Sequence, residues 1–164
     1  MDFGGRYLFG AKRAEVWAAL NDVAILKAVI PGCERIVWTG ASSLEMTIKV
    51  NFGIVHPTFE GNLTLSDIRL AERYTLSGRG RGKMLGLANA SAEITLADAP
   101  DGGTILSFEA IGSADGGIMR LGKALIGNSA QKVIDGFFES IGREMAVDVR
   151  PMARSEASDP SAAP

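Results

Sequence analysis

Residues 88–96 read Ala-Asn-Ala-Ser-Ala-Glu-Ile-Thr-Leu. Ala88, Ala90, Ala92, Ile94 and Leu96 alternate with Asn89, Ser91, Glu93 and Thr95. A period of two puts the first set on one face of a strand and the second on the other. The same alternation spreads outward from this stretch. Leu44, Met46, Ile48 and Val50 alternate with Glu45, Thr47 and Lys49. Phe59, Gly61, Leu63 and Leu65 alternate with Glu60, Asn62, Thr64 and Ser66. Tyr74, Leu76 and Gly78 continue the pattern, and Thr104, Leu106, Phe108 and Ala110 close it against Ser107 and Glu109. Turn-forming residues at 40–43, 51–53 and 100–103 separate the runs. The region predicts an antiparallel meander with one wet face and one buried face.

On the N-terminal side, residues 3–10 predict a strand with Tyr7 and Phe9 on one side. Residues 13–20, RAEVWAAL, predict a helix. Asn21-Asp22 ends it and caps a second short helix, VAILKAVI, which Pro31-Gly32 stops. On the C-terminal side the period changes at Gly117. Ile126, Ala130, Val133, Phe137, Ile141 and Met145 recur every three or four residues, giving one apolar stripe on a helix of about 28 residues, roughly 42 Å long. Arg120, Lys123, Lys132, Asp135, Glu139 and Arg143 fall on its other face. Such a stripe must be buried, and the inner face of the sheet is the apolar surface large enough to do it. The expected fold is α+β: a seven-stranded curved antiparallel sheet wrapped around a long C-terminal helix, with two short helices after the first strand. Residues 1–149 form the domain, and the Pro/Ser/Ala-rich residues 150–164 are expected to be a disordered polar tail.

Composition narrows the function. The chain has 164 residues and a net charge of −2, which argues against a nucleic-acid-binding groove. No apolar run approaches the ~18–20 residues of a membrane span, and the N-terminus lacks the pattern of a secretion signal. The single cysteine, Cys33, suits a reducing compartment, and the single histidine, His56, excludes a multi-histidine metal site. Glycine is the unusual residue: its 20 copies are about 12% of the chain, against about 7% on average.

Those small residues locate a candidate site. Along the inner face, large side chains at the strand ends give way to Gly61, Gly78, Ala88, Ala90, Ala92 and Ala110. The helix opposite carries Gly117, Gly122, Gly127 and Gly136. Either sheet and helix close on each other, or a cavity remains between them; the curvature of the sheet favours the cavity. Its expected lining is Met46, Ile48, Phe59, Leu87, Phe108, Leu121, Leu125 and Phe137, suited to a ligand with an apolar body. Catalytic alternatives find less support. His56 has the parity of the solvent face, Cys33 reads as a small core residue, and Glu60, Glu93 and Glu109 lie on the polar sides of their strands. Gly78-Arg-Gly-Arg-Gly-Lys83 lacks the strand–loop–helix context of a phosphate-binding loop, though its cations could meet an anionic surface. Trp17 and Trp38 read as packing anchors.

The run Val16-Trp17-Ala-Ala-Leu20-Asn-Asp22, followed by Leu26 and Ile30-Pro31-Gly32-Cys33-Glu34, resembles the opening signature of the carbon monoxide dehydrogenase G-subunit family. Lys49-Val50 with Gly53, Phe59-Glu-Gly61, Gly80 and Gly82 before Gly86-x-Ala88-x-Ala90, Gly116-Gly117-Ile118, Leu121-Gly122-x-x-Leu125-Ile126 and Phe137-Phe138 follow in order. The resemblance covers about residues 1–145. It implies the helix-grip fold of the START-like and polyketide-cyclase-like proteins, with a cavity between sheet and C-terminal helix. It also implies an accessory protein of molybdenum-containing hydroxylases, associated with membrane recruitment and quinone handling, without a catalytic constellation. Some members continue into a C-terminal membrane-attaching segment, whereas this chain ends in a short polar tail.

The resulting expectation is a non-catalytic accessory protein of a molybdenum hydroxylase or carbon monoxide dehydrogenase system. It would hold an apolar small molecule, with a quinone or lipid-like compound as candidate, and aid recruitment or electron transfer. Its partners would be hydroxylase subunits, with peripheral membrane contact and no nucleic acid. It would hold no cofactor or metal of its own and would be cytoplasmic, at or near the inner face of the membrane. An enzyme of the cyclase, hydratase or hydrolase type, using His56 or Tyr74, and a pure assembly adaptor remain the alternatives.

Overall fold

The computed structural model of the protein describes residues 2–49, 54, 56–82, 86–114 and 130–152. The chain runs through β1 (Asp2–Phe9), α1 (Arg13–Leu20), α2 (Val23–Val29), β2 (Cys33–Trp38), β3 (Ser43–Lys49), β4 (Thr58–Arg69), β5 (Arg73–Gly82), β6 (Gly86–Asp98), β7 (Thr104–Ala114), α3 (Ala130–Met145) and β8 (Val149–Met152). The strands form one curved antiparallel sheet in the order β2-β3-β4-β5-β6-β7-β1-β8. The meander is therefore continuous from β2 to β7, and β1 closes it on the β7 side. Bulges help to bend it. The register slips between Cys33 and Arg35 in β2 and between Ser66 and Arg69 in β4, where Asp67 has a φ of 50°.

The α1–α2 corner forms as its residues dictate. Asn21 Nδ2 donates to the Trp17 carbonyl at 2.9 Å, and Asp22 Oδ1 accepts from Ala24 N (2.9 Å) and Ile25 N (3.4 Å), capping α2. After Pro31, Gly32 turns the chain with a φ of +75°. Its carbonyl then accepts from Lys49 N at 2.8 Å, tying the turn to the end of β3.

Two expectations are corrected. Among the described residues there are eight strands rather than seven. The extra one, β8, pairs with β1 from Phe9↔Val149 to Arg6↔Met152, so Arg150, Pro151 and Met152 belong to the sheet and not to a disordered tail. Its edge position tolerates Pro151, which has no N–H to offer a further strand. Residues 153–164 lie outside the described residues. The described helix α3 has 16 residues, about 24 Å; Gly117, Gly122, Gly127 and the rest of the expected helix before Ala130 also lie outside.

The buried stripe of α3 differs in part from its expected position. Ile141 is buried and Phe137 and Met145 pack against the core as expected, Phe138 and Ile134 join them, and Val133 is 47% exposed. The spacing Ile134, Phe138, Ile141, Met145 describes one helical face. Phe138 joins an aromatic cluster with Tyr7, Phe9 and Phe108, at centroid distances of 4.5, 6.5 and 5.5 Å. Asp135, expected on the wet face, instead accepts from Tyr7 Oη at 2.6 Å. Gln131 Nε2 donates to Asp135 Oδ1 at 2.8 Å and to Tyr7 Oη at 3.3 Å. These contacts fix α3 over β1.

Candidate functional site

A cavity of about 460 Å³ lies between the inner face of the sheet, the α1–α2 corner and α3. Pairing across the sheet arranges the inner-face side chains in rows. Tyr74, Ile94 and Phe108 form the row at the α1 end. Leu65, Leu76, Ala92 and Ala110 form the next, then Leu44, Leu63, Gly78, Ala90 and Gly112, then Met46, Gly61, Gly80 and Ala88. The cavity is walled by the first two rows and by the Leu44, Leu63 and Met46 members of the others. Leu20, Asn21, Leu26, Ile30 and Pro31 wall it on the α1–α2 side, and Val133, Ile134, Phe137 and Phe138 on the α3 side. Among these residues only Asn21 and Tyr74 carry polar side chains, and none is charged.

Of the residues expected to line it, Met46, Phe108 and Phe137 do so. Ile48 and Phe59 share the inner face but sit further along it, as cross-strand partners of each other. Phe59 lies over Gly80, where a Cβ would overlap its ring, and Ile48 approaches Gly32. Leu87 is a correction: it is 56% exposed, because its parity on β6 is that of Asn89 and Ser91, not of Ala92 and Ile94. Leu121 and Leu125 lie outside the described residues.

The glycines act differently from expectation. A Cβ at Gly78 would stand 2.8 Å from Leu63 Cδ2, one at Gly80 would overlap Phe59, and one at Gly61 would meet Met46 Cε at 3.5 Å. Gly78 and Gly80 are thus seats for neighbouring large side chains, whereas Gly61 would make only an ordinary contact. Ala92 and Ala110 are the small inner-face residues that border the hollow. A Cβ on Gly136 of α3 would meet nothing within 4 Å.

The residues missed in the sequence are those of the α1–α2 corner. Leu26 and Ile30, one helical turn apart and followed by Pro31, carried the available signal: an apolar edge aimed at the sheet. Tyr74 is 6% exposed, and the Trp17 ring packs edge-on against it at 5.2 Å. Burial alone raises its hydroxyl to a pKa of about 12. The pKa of Tyr7 is also driven upward, by burial first and then by the Asp135 carboxylate that its hydroxyl contacts.

Other candidates are placed apart from this cavity. Cys33 and His56 border a second hollow of about 430 Å³ together with Gly32, Glu34 and Lys49. Cys33 is half-buried rather than buried, and its Sγ approaches the Arg35 carbonyl at 3.5 Å. Gly78 to Gly82 run within β5 and so form no loop that could cradle a phosphate, and Lys83 lies outside the described residues. Glu93 faces outward in an exposed ion pair with Arg73 at 2.8 Å. Trp17 packs on the core, but Trp38 is 38% exposed and anchors little. Among the described residues there is no group of three or more His, Cys, Asp or Glu that could hold a metal, and no helix long and apolar enough to cross a membrane.

A curved antiparallel sheet grasping a C-terminal helix over an apolar hollow defines the helix-grip class of protein. Within that class the chain belongs to the carbon monoxide dehydrogenase G-subunit (CoxG) family, whose model matches residues 5–146. No curated protein resembles the chain closely enough to count as a match. Solved structures share its fold. A conserved protein from Geobacillus kaustophilus is 24% identical, with a TM-score of 0.77 over 92% of this chain and 99% of its own. A protein from Rhizobium loti is 16% identical, with a TM-score of 0.65 over 88% and 96%. An aromatase/cyclase from Streptomyces is 14% identical, with a TM-score of 0.59 over 89% and 93%.

Proposed function

We propose that this protein is a non-catalytic accessory protein of a molybdenum hydroxylase or carbon monoxide dehydrogenase system. It holds an apolar small molecule, with a quinone as the leading candidate, between sheet and α3, and aids recruitment of the enzyme or electron transfer. Family membership supports the association with the dehydrogenase. The observation that carries the ligand reading is the cavity of about 460 Å³ with an almost wholly apolar wall. That volume falls within the ~300–1,000 Å³ of ordinary ligand pockets. Each 100 Å² of apolar ligand surface buried there contributes about 2.5 kcal/mol before the entropic costs of association.

The test is native mass spectrometry of the purified protein, followed by a quinone titration read through tryptophan fluorescence. Trp17 touches the wall residue Tyr74 and should be quenched in a saturable manner; Trp38, partly exposed on β2, is the internal reference. A wild-type protein that carries no small molecule and shows only collisional quenching at both tryptophans overturns the reading. A second reading, an enzyme of the cyclase type, draws on Tyr74 in the wall and on the activity of the Streptomyces neighbour. A phenol held protonated to about pH 12 is a hydrogen-bond donor near neutrality and a poor general base.

A further inference from the structure

Tyr74 stands out among the buried hydroxyls. Thr104 Oγ1 donates to the Ala11 carbonyl at 2.7 Å, and Tyr7 Oη donates to Asp135 at 2.6 Å. Tyr74 is 6% exposed and lines the cavity, and no hydrogen bond holds its Oη among the described residues, where the one fully enclosed side-chain polar atom without a partner is Arg73 Nε. A hydroxyl that no protein group engages, on a cavity wall that keeps it accessible, is open to an acceptor carried by a guest. Ile94 is the cross-strand partner of Tyr74, Leu65, Leu76 and Phe108 flank it on the same wall, and the Trp17 ring holds the phenol edge-on. Asn21, the other polar side chain of the wall, is bonded to the carbonyl of that same Trp17. Both polar groups are therefore gathered at the α1 end, while Met46, Val133 and Phe137 leave the rest of the wall apolar.

We infer that Tyr74 Oη is the specificity-determining donor of the cavity, and that the guest is an apolar molecule bearing a neutral oxygen acceptor, a carbonyl, at the end seated beneath α1. A carboxylate is the wrong acceptor. It would bring a charge into a wall that has no cation among the described residues to balance it. The phenol stays protonated across the physiological range, so it is always available to donate. The inference rests on the cavity being a ligand site and adds which chemistry that site selects.

Three probes with one aromatic body separate the possibilities: ethylnaphthalene, acetylnaphthalene and naphthoate, each titrated calorimetrically into the wild type and into Tyr74→Phe. The wild type should bind the acetyl compound about three- to tenfold more tightly than the ethyl compound, as one net hydrogen bond allows, and naphthoate most weakly. Tyr74→Phe, which keeps the ring against Trp17, should abolish the preference for acetyl while leaving ethylnaphthalene bound at least as well. The carbonyl stretch of bound acetylnaphthalene should shift to lower frequency in the wild type and not in the variant, a signature that a purely structural tyrosine would not produce. Equal affinity of the wild type for the acetyl and ethyl compounds, or a preference that survives Tyr74→Phe, overturns the assignment of Tyr74 alone. Failure of all three probes to bind the wild type overturns the cavity reading with it. The wild-type comparison needs no variant, so poor folding of Tyr74→Phe would not shield the proposal.

Discussion

Gly32→Ala is the substitution for which the structure makes the sharpest demand. Gly32 follows the cavity-wall residue Pro31 and has a φ of +75°, in the left-handed region. A side chain there costs about 1–2 kcal/mol through backbone sterics alone. Its Cβ would also overlap the carbonyl oxygen of Lys49. That obstacle is backbone and cannot rotate away, and the same two residues share the 2.8 Å bond from Lys49 N to the Gly32 carbonyl. Overpacking of this kind adds about 1–3 kcal/mol, and loss of the hydrogen bond about 0.5–1.5 kcal/mol. Gly102→Ala supplies the control. Gly102 has a φ of +92°, but nothing lies within 4 Å of its would-be Cβ, so only the backbone penalty applies. Urea unfolding followed by tryptophan fluorescence should place Gly32→Ala about 2–4 kcal/mol below Gly102→Ala, with equal m-values. Equal losses for the two variants would refute the claim that the turn is locked against β3. Because Pro31 walls the cavity, Gly32→Ala should also weaken probe binding, which Gly102→Ala should leave alone.

Two glycines of α3 should respond in opposite directions. Gly136→Ala fills open space and should gain about 0.5–1 kcal/mol from helix propensity, whereas Gly142→Ala would drive a Cβ into Val149 Cγ2 and should lose about 1–3 kcal/mol, both read as shifts in urea midpoint. Asp135→Ala leaves the fully buried Tyr7 hydroxyl without its 2.6 Å acceptor and should cost about 1–3 kcal/mol; adding Tyr7→Phe should recover part of that loss, and strict additivity in the double-mutant cycle would contradict the coupling. Above pH 10 the unfolded chain releases tyrosine protons that the folded chain keeps, so stability should be level below about pH 10 and fall as pH rises toward 12. For Tyr74, raised from 10.0 to about 12, the fall amounts to roughly 3 kcal/mol, and Tyr74→Phe should flatten the slope in unfolding curves taken across that range.

Most of the sheet was legible because alternation is a local property: a half-buried strand advertises its face in every second residue. The eighth strand was not, because Val149-Arg-Pro-Met has no such pattern and exists through its pairing with β1. The last helix was legible in kind, and Phe137, Ile141 and Met145 were placed rightly, but the exposure of Val133 and the burial of Phe138 depend on the aromatic cluster around Tyr7, which no helical period shows. For the site, parity sufficed for Met46 and Phe108 and, properly applied, would have removed Leu87. It could not show that Gly78 and Gly80 are filled by Leu63 and Phe59, because that depends on neighbours across the sheet that no sequence pattern reveals. Nor could it show that the α1–α2 corner closes over Tyr74, which is a matter of tertiary packing.

The placement of β1 has a consequence for how the chain is made. Tyr7 pairs with Leu106 on one side and Pro151 on the other, so both neighbours of the first strand are synthesised long after it. β1 leaves the ribosome with Tyr7 and Phe9 unprotected and must wait while the hairpins behind it assemble. Joining such distant partners is slow, which makes this strand a place where a molecular chaperone, or an aggregating neighbour, would take hold of the nascent protein.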